Sequence, residues 1–398
     1  MLDLIKNSLS RENLEKISKN KNEPEWLLER RLENFYVFES LPEPDFIYGL
    51  SIILDRSQIN LGEIDPLSGQ ENIQIKTNHR IIIKDLHEAL KTHEDIIKIH
   101  LLKNQPKNKF EALASAFWTG GLFIYLPKNT EIEMPAEIYS NLISQSCIQT
   151  ILVIAEPFSK ISIIESQESQ REEKSYRFQN IEIFGKESSK IEFSSIQNNR
   201  ENVINFSFRK AFIEKDASVH WNICDLGGLF TKSDVTTSLI GQGASVNNIG
   251  IFLGKRNQQF DFSANAIHLA PNTSSELLTK GALSDKSKGV YGGLIKITPE
   301  GTKSSGHQKV DILLLSKEAE AAPIPNLEIE TNDVKKCSHA ASVGQVDKEK
   351  LFYLMSRGLS EKEASNQIVK GLLEPAIQKI KIEKVQKHLR NLIEERLS

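Results

Sequence analysis

The sequence predicts a mainly β protein: a right-handed parallel β-helix flanked by an N-terminal α/β domain and a C-terminal α-helical domain. The first observation is a unit that recurs along the middle of the chain, a small or polar pair followed by an aliphatic residue and then alternation. Its instances are Thr130-Glu-Ile132, Ser159-Lys-Ile161, Ser189-Lys-Ile191, Ala217-Ser-Val219, Ala244-Ser-Val246 and Ser275-Glu-Leu277, with aliphatic members 29, 30, 28, 27 and 31 residues apart. A near-constant step without identical residues is what a solenoid produces. The second observation is the period of two inside each unit, as in Ile191-Glu-Phe193 and Val219-His-Trp221, which makes the repeat β. A β-sandwich of similar strand spacing also fits these units; the regular step favours the helix. The third is that helical periodicity is confined to the flanks. The expected division is 1–119, 120–344 and 345–398.

Composition narrows the class. The 398 residues can bury a large core, with 39% hydrophobic and 26% charged residues and a net charge of −3. That balance supplies no electrostatic reason to bind nucleic acid. No apolar run reaches the length of a membrane span; the best, Ile151 to Ala155, is one strand long. The opening MLDLIKNSLSRENLEK has neither an apolar h-region nor a small-residue cleavage site, so no signal peptide is expected. Three scattered cysteines argue against a disulfide framework and for a reducing compartment. The expected location is the cytoplasm.

In the N-terminal third, Leu2 to Ile17 has helical spacing, and Pro24 suits the first turn of a second helix, Trp26 to Phe38. Trp26 reads as a packing anchor. Residues 46 to 83 alternate as short strands, with His79 beside Arg80. His87, His93 and His100 fall on a helical stretch at spacings of six and seven, which do not place two ligands on one face; a solvated face is expected. Asn108 to Phe117 reads as a short helix packed across the mouth of a sheet, ended by Gly120-Gly121 before the strand Leu122 to Leu126.

Within the repeat, Cys147 and Cys224 look like small hydrophobic strand residues, and His268 and His307 lie near turns. Gly241-Gln-Gly243 lacks the third glycine of a dinucleotide fingerprint. There is no P-loop, no G-x-S-x-G, no H-E-x-x-H and no paired CxxC. Helical segments on both sides of the repeat are expected to cover the solenoid's open ends.

The strands Ile312-Leu-Leu-Leu and Leu327-Glu-Ile-Glu lead to Cys337-Ser-His339. On an extended strand residues i and i+2 face one side, so thiol and imidazole project together. Two ligands do not make a site, and spacing alone favours a buried Cys beside a hydrogen-bonded His over half of a shared metal site. Asp347 caps a helix to Arg357 whose apolar face includes Leu351, Phe352, Leu354 and Met355; Gly358 ends it. Ser360-Glu-Lys-Glu363 is a capping box for the next helix, which Pro375 is expected to break before a last one. The helix after the turn, with three acidic and two basic residues, is wrong for facing phosphates, so a docking or capping module is expected rather than a DNA-binding one.

Three blocks carry a resemblance. They are NKFEALASAFWTGGLFIYLPK (108–128); GGLFTKSDVTTSLIGQGASVNNIGIFL (227–253) with HLAPNTSSELLTKGALSDKSKGVYGGLIKI (268–297); and DVKKCSHAASVGQVDKEKLFYLMSRGLSEKEA (333–364). PEWLLERRL near the start adds weaker support. Together they resemble the SufB/SufD family of iron–sulfur cluster assembly scaffolds, whose members imply a parallel β-helix between helical domains. In that family SufB and SufD pair as a heterodimer and each carries a SufC ATPase on its C-terminal helices. A SufB cysteine and a SufD histidine are the principal candidates for holding a nascent cluster at their interface. SufB has Cys-Asp-Ser before its Leu-Leu strand and His-Glu in the later block; here those positions read Val310-Asp311-Ile312 and His339-Ala340. The Asp-Val-Lys-x-Cys-x-His pattern resembles SufD, so His339 falls on the SufD histidine and Cys337 on the cysteine before it. Ala340-Ala341-Ser342 departs from the common Gly-Ala-Thr.

The resemblance therefore implies a non-enzymatic SufD-like subunit that pairs with a SufB-like paralogue, or with itself when isolated. His339 and Cys337 would be candidate ligands of transient iron or an iron–sulfur cluster at the partner interface. Leu351, Phe352, Tyr353, Arg357 and Gly358 would dock a SufC-like ATPase; flavin binding is left open. The alternatives are a SufB-type paralogue and a β-helix carbohydrate-active enzyme, the latter disfavoured by the missing signal peptide and the lack of a repeated acidic column.

Overall fold

A computed structural model describes residues 8–48, 52–69, 71–77 and 81–398. The chain enters through α1 (Arg11–Asn20), capped by the Ser10 hydroxyl, and α2 (Glu25–Ser40), with Pro24 at its N-cap. The helix expected from Leu2 thus starts at Arg11; residues 1–7 of that expectation, and His79, lie outside the described residues. A two-stranded hairpin of β1 (Ile47–Tyr48) and β2 (Ile52–Ile53) and three single 3₁₀ turns follow. Then come β3 (Glu71–Lys76), β4 (Ile82–Asp85), α3 (Leu86–His100) and α4 (Lys109–Phe117).

Sixteen strands then wind as a solenoid, two to a coil. The first four coils are β5 (Gly120–Leu126) and β6 (Ala136–Leu142), β7 (Ser146–Ala155) and β8 (Lys160–Ser169), β9 (Ser175–Gly185) and β10 (Lys190–Gln197), and β11 (Val203–Ile213) and β12 (Ser218–Asp225). The next four are β13 (Phe230–Leu239) and β14 (Ser245–Gly254), β15 (Gln259–His268) and β16 (Ser274–Leu283), β17 (Lys288–Ile297) and β18 (Ser304–Leu314), and β19 (Glu320–Ile329) and β20 (Val334–Gln345). Even-numbered strands from β6 form one parallel sheet and odd-numbered strands from β5 the other. The chain ends in α5 (Lys348–Ser356), α6 (Glu361–Ile377) and α7 (Glu383–Leu397).

The recurring unit is one corner of this coil. Asn129, Phe158, Ser188, Asp216, Gly243, Asn272 and Lys303 all have positive φ there, between 53° and 76°. Each donates its backbone N–H to a carbonyl one coil on, from Asn129 to Pro157 at 3.0 Å through to Lys303 to Asp333 at 2.6 Å. The next residue turns into the core, and Ser159, Ser189, Ala217, Ala244, Thr273 and Ser304 are all buried. A small side chain is required because each stacks on its counterpart in the adjacent coil. The register aligns Ile161, Ile191, Val219 and Val246 as Cα partners, but the next partner is Ser275 and not Leu277, which pairs with Asn248. The last step is therefore 29 residues: the aliphatic pattern had slipped two positions along a strand of the same parity.

Each sheet packs its inner face on the axis and is clad over part of its outer face. Between them lies the axial core of Ile163, Ile183, Phe193, Trp221, Phe262 and Ile295. The N-terminal layer packs on the outer face of the odd-strand sheet, where Phe110 of α4 stacks on Phe206, which stacks on Phe178. So α4 lies on a sheet face and not across its mouth. On the outer face of the even-strand sheet, Val369, Leu373, Ile377, Val385 and Leu389 of α6 and α7 cover Ile164, Ile196, Cys224 and Ile251. Each aliphatic side chain buried this way contributes about 1.5–3 kcal/mol. The flanking helices thus clad the solenoid's sides instead of its ends, because the outer rows are apolar and need covering.

Two further expectations change for physical reasons. His87 is buried, stacked on Trp118 with rings 4.7 Å apart, and its Nε2 meets Glu23 Oε1 at 2.8 Å. Glu23 also pairs with the buried Arg31, whose guanidinium lies over the Trp118 indole 4.1 Å from its centroid. Pro375 sits inside α6, which runs two residues past it; packing of Leu373, Ala376 and Ile377 on the sheet outweighs the lost hydrogen bond.

The two ends of the solenoid differ. At the first, β3 runs antiparallel to β6 and β4 antiparallel to β5, so each sheet ends on a reversed strand. At the other, β19 and β20 each pair on one side only, and no residue of either strand is buried. Pro323 and Pro325 remove two N–H donors from β19, which blunts that edge against strand addition.

Candidate functional site at the open coil

Cys337 and His339 lie on β20, the last strand. One extra residue is accommodated between Ser304↔Val334 and Ser305↔Lys336, after which Gly306 faces Cys337 and Gln308 faces His339. On β18 the row containing Gln308, Val310 and Ile312 is buried in the axis. Strand alternation therefore puts Cys337, His339, Ala341 and Val343 on the axial row of the uncovered coil. Thiol and imidazole share a side, as i and i+2 spacing implies. Cys337 packs partly against the axial core, whereas His339 is exposed because no further coil stacks on it.

Burial pushes the Cys337 thiol up, partly offset by the Ser338 backbone N–H. At neutral pH it is a thiol and not a thiolate. The other side of β20 is pinned to β18: Ser338 Oγ meets His307 Nδ1 at 2.9 Å and Ser342 Oγ donates to Asp311 at 2.7 Å. Asp311 in turn binds Lys280 at 2.6 Å. These contacts hold the axial row in register at a strand with a single neighbour.

The outer face of the same sheet carries residues, one from each of five successive coils, that spacing did not group. His220, Asn247, Glu276, His307 and Ser338 are successive cross-strand partners. The first four floor a cleft shared with Ser245, Ser274 and Lys336. His307 is in a strand and not a turn, and His268 ends β15 with its ring inside the axis. The signal was available in the repeat step, since His220, Glu276 and His307 fall at one phase of it. Cys147 and Cys224 are fully buried strand residues, Cys147 on the axial side beside Glu71 and Cys224 beneath α6 and α7.

The C-terminal surface is the second candidate. In α5, capped by Asp347, no residue is buried; Phe352 is 73% and Tyr353 56% exposed. Arg357 stacks over the Tyr353 ring at 5.2 Å. Gly358, at φ +99°, reverses the chain into α6, and Leu351 is half-buried. A groove between α5 and α6 is lined by Tyr353, Leu354, Gln367 and Ile368. No helix among the described residues is long and apolar enough to cross a membrane.

Among the described residues no group of three His, Cys, Asp or Glu is placed to hold a metal ion. The fold and site thus define a parallel β-solenoid protein with a soft-ligand pair on an uncovered coil, any metal at which would take further donors from outside the chain. Residues 139–372 match the family model described as SUF system FeS cluster assembly, SufBD core domain. The iron–sulfur cluster assembly protein SufB of Bacillus subtilis is 30% identical over 94% of this chain and 90% of its own length. SufBD family proteins of Staphylococcus haemolyticus and Staphylococcus aureus are 29% identical over 92% of this chain and 88% of theirs. The chain belongs to the SufB/SufD family of iron–sulfur cluster assembly proteins.

Proposed function

We propose that this chain is the SufD-type, non-catalytic scaffold subunit of an iron–sulfur cluster assembly complex. It pairs through its open coil with a SufB-type paralogue and docks a SufC-type ATPase on α5 and α6. The observation that carries the reading is the position of Cys337 and His339 on the axial row of the one coil that nothing covers. The chain also lacks the cysteine and glutamate of the SufB pattern, having Val310 and Ala340 there. His339 would supply an imidazole nitrogen, and Cys337 secondarily a sulfur, to iron or a nascent cluster completed by the partner. The cluster is cargo here, not a resident group.

Co-expression with SufB-type and SufC-type partners, followed by size exclusion and iron and acid-labile sulfide assays, tests this. His339→Ala is expected to leave the complex assembled and to lower its iron and sulfide content; an unchanged content removes the histidine from the site. Cys337→Ala is expected to have the smaller effect. Assembly of clusters by this chain with SufC alone would favour a SufB-type role instead.

A further inference from the structure

The solenoid axis is polar in its first coils, and its charges do not balance. Three carboxyl groups, Glu71, Glu165 and Asp225, face two guanidinium groups, Arg177 and Arg209, and all five are buried. Glu71 is matched by Arg177, with Ser140 and Gln149 also donating to it. Glu165 accepts from Gln179 at 2.6 Å and from Ser195 at 2.9 Å, and Ser195 accepts from Arg209 Nη2 at 3.2 Å. Arg209 Nη1 donates to Ser233 at 2.8 Å. The second guanidinium is thus tied into the Glu165 network.

Asp225 is the group left over. It is 1% exposed, and neither of its oxygens has a hydrogen-bond partner. Its in-register neighbours are Gln197 on β10 and Phe252 on β14, neither of which ionises. The charged groups facing it are Arg209 from β11 and Glu165 from β8; Cys224, next in the chain, points to the opposite face under α6 and α7. A carboxylate buried without donors, sharing one guanidinium with a better-placed carboxylate, is relieved by taking up a proton.

We propose that Asp225 is held as the neutral carboxylic acid at neutral pH, so that the solenoid takes up one proton as it folds. Burial pushes this carboxyl up from its ordinary value and Glu165 adds to the push, against the pull of Arg209 and of the nearby Ser233 hydroxyl, which makes no well-formed hydrogen bond to it. The native state then binds one more proton than the unfolded chain at any pH between the two values. Stability through this group falls as pH rises, by a factor of about ten in the folding equilibrium constant per pH unit.

Asp225→Asn replaces the acid with a neutral group of the same shape. Urea unfolding of the full chain between pH 6 and pH 8 is expected to show the wild-type constant falling about tenfold more per pH unit than that of the variant. Equal slopes overturn the proposal. Infrared spectra at pH 7 are expected to show a protonated-carboxyl C=O band in the wild type that is missing from Asp225→Asn; loss of a carboxylate band instead overturns it. Should the variant not fold, wild-type protein labelled with ¹³C at aspartate carboxyls gives the answer directly. One carbon stays at the protonated shift from pH 5 to pH 8, and its absence overturns the proposal.

Discussion

Buried ionisable residues set how this protein responds to pH, and His268 is the simplest case. Its ring is fully buried, held by Thr273 at 2.7 Å and Ser275 at 2.9 Å, and burial pushes it down to about 4 from 6.5. Between those values the unfolded chain binds a proton that the native state does not, so stability falls as pH drops, by up to about 3 kcal/mol. Glu23 extends the loss. Burial pushes its carboxyl up, but Arg31 and His87 outweigh that and hold it at about 2 against 4.5. Its contribution is present above pH 4.5 and is lost as pH falls toward 2. Asp225 acts in the opposite sense over this range, so urea unfolding at pH 7, 5.5 and 4 should show the wild type losing stability relative to His268→Gln, by up to about 3 kcal/mol at pH 4. The Cys337–His339 pair was legible at this scale because spacing on one strand fixes a shared side. Asp225, Glu165 and His268 were not. When both faces of a strand are covered, alternation no longer separates inside from outside, and pairing across coils is invisible to a period of two.

The secondary elements repeat this contrast between local and distant information. Corners were legible because a backbone turn with positive φ and a small core-facing residue leave a local mark every coil. The solvated-face reading of His87 failed because α3 is clad on one side by Trp118 and Glu23, residues far from it in sequence. Close packing between coils makes glycines on the axial row sensitive. A Cβ on Gly281 would stand 2.3 Å from the Phe252 ring, so Gly281→Ala should cost about 1–3 kcal/mol in urea unfolding. The α5 surface behaves oppositely. Phe352→Ala should leave stability unchanged within about 0.5 kcal/mol, because the ring is solvated in the isolated chain. If α5 docks the ATPase, the same substitution should weaken capture of that subunit by about 2 kcal/mol or more, roughly thirtyfold in Kd. An unchanged Kd would move the docking surface elsewhere. Ser360→Ala, which removes the capping box of α6, should cost about 1 kcal/mol.

For the molecule as a whole, stability should be graded along the axis. Coils between β7 and β18 have neighbours on both sides and cladding on at least one face, whereas β19 and β20 have one neighbour each and no buried residue. Native-state hydrogen exchange should therefore find the amides of β20 less protected than those of β9 and β11. Binding of a partner at the open coil should raise the β20 protection selectively; a uniform change along the solenoid would place the partner elsewhere. The overall architecture was legible from the step length. The cladding of the sides was not, because which apolar rows face outward depends on how the coil closes.

The difference between the two ends has a consequence for assembly. A solenoid open at both ends stacks head to tail without limit and makes a filament. Here β3 and β4 end the two sheets with antiparallel strands, so only the other end offers a parallel edge to a further coil. Two such molecules meeting there leave no vacant end between them, and growth stops at a closed pair with an approximate two-fold axis. If two chains pair through that end, one reversed pair of strands is enough to stop growth at two.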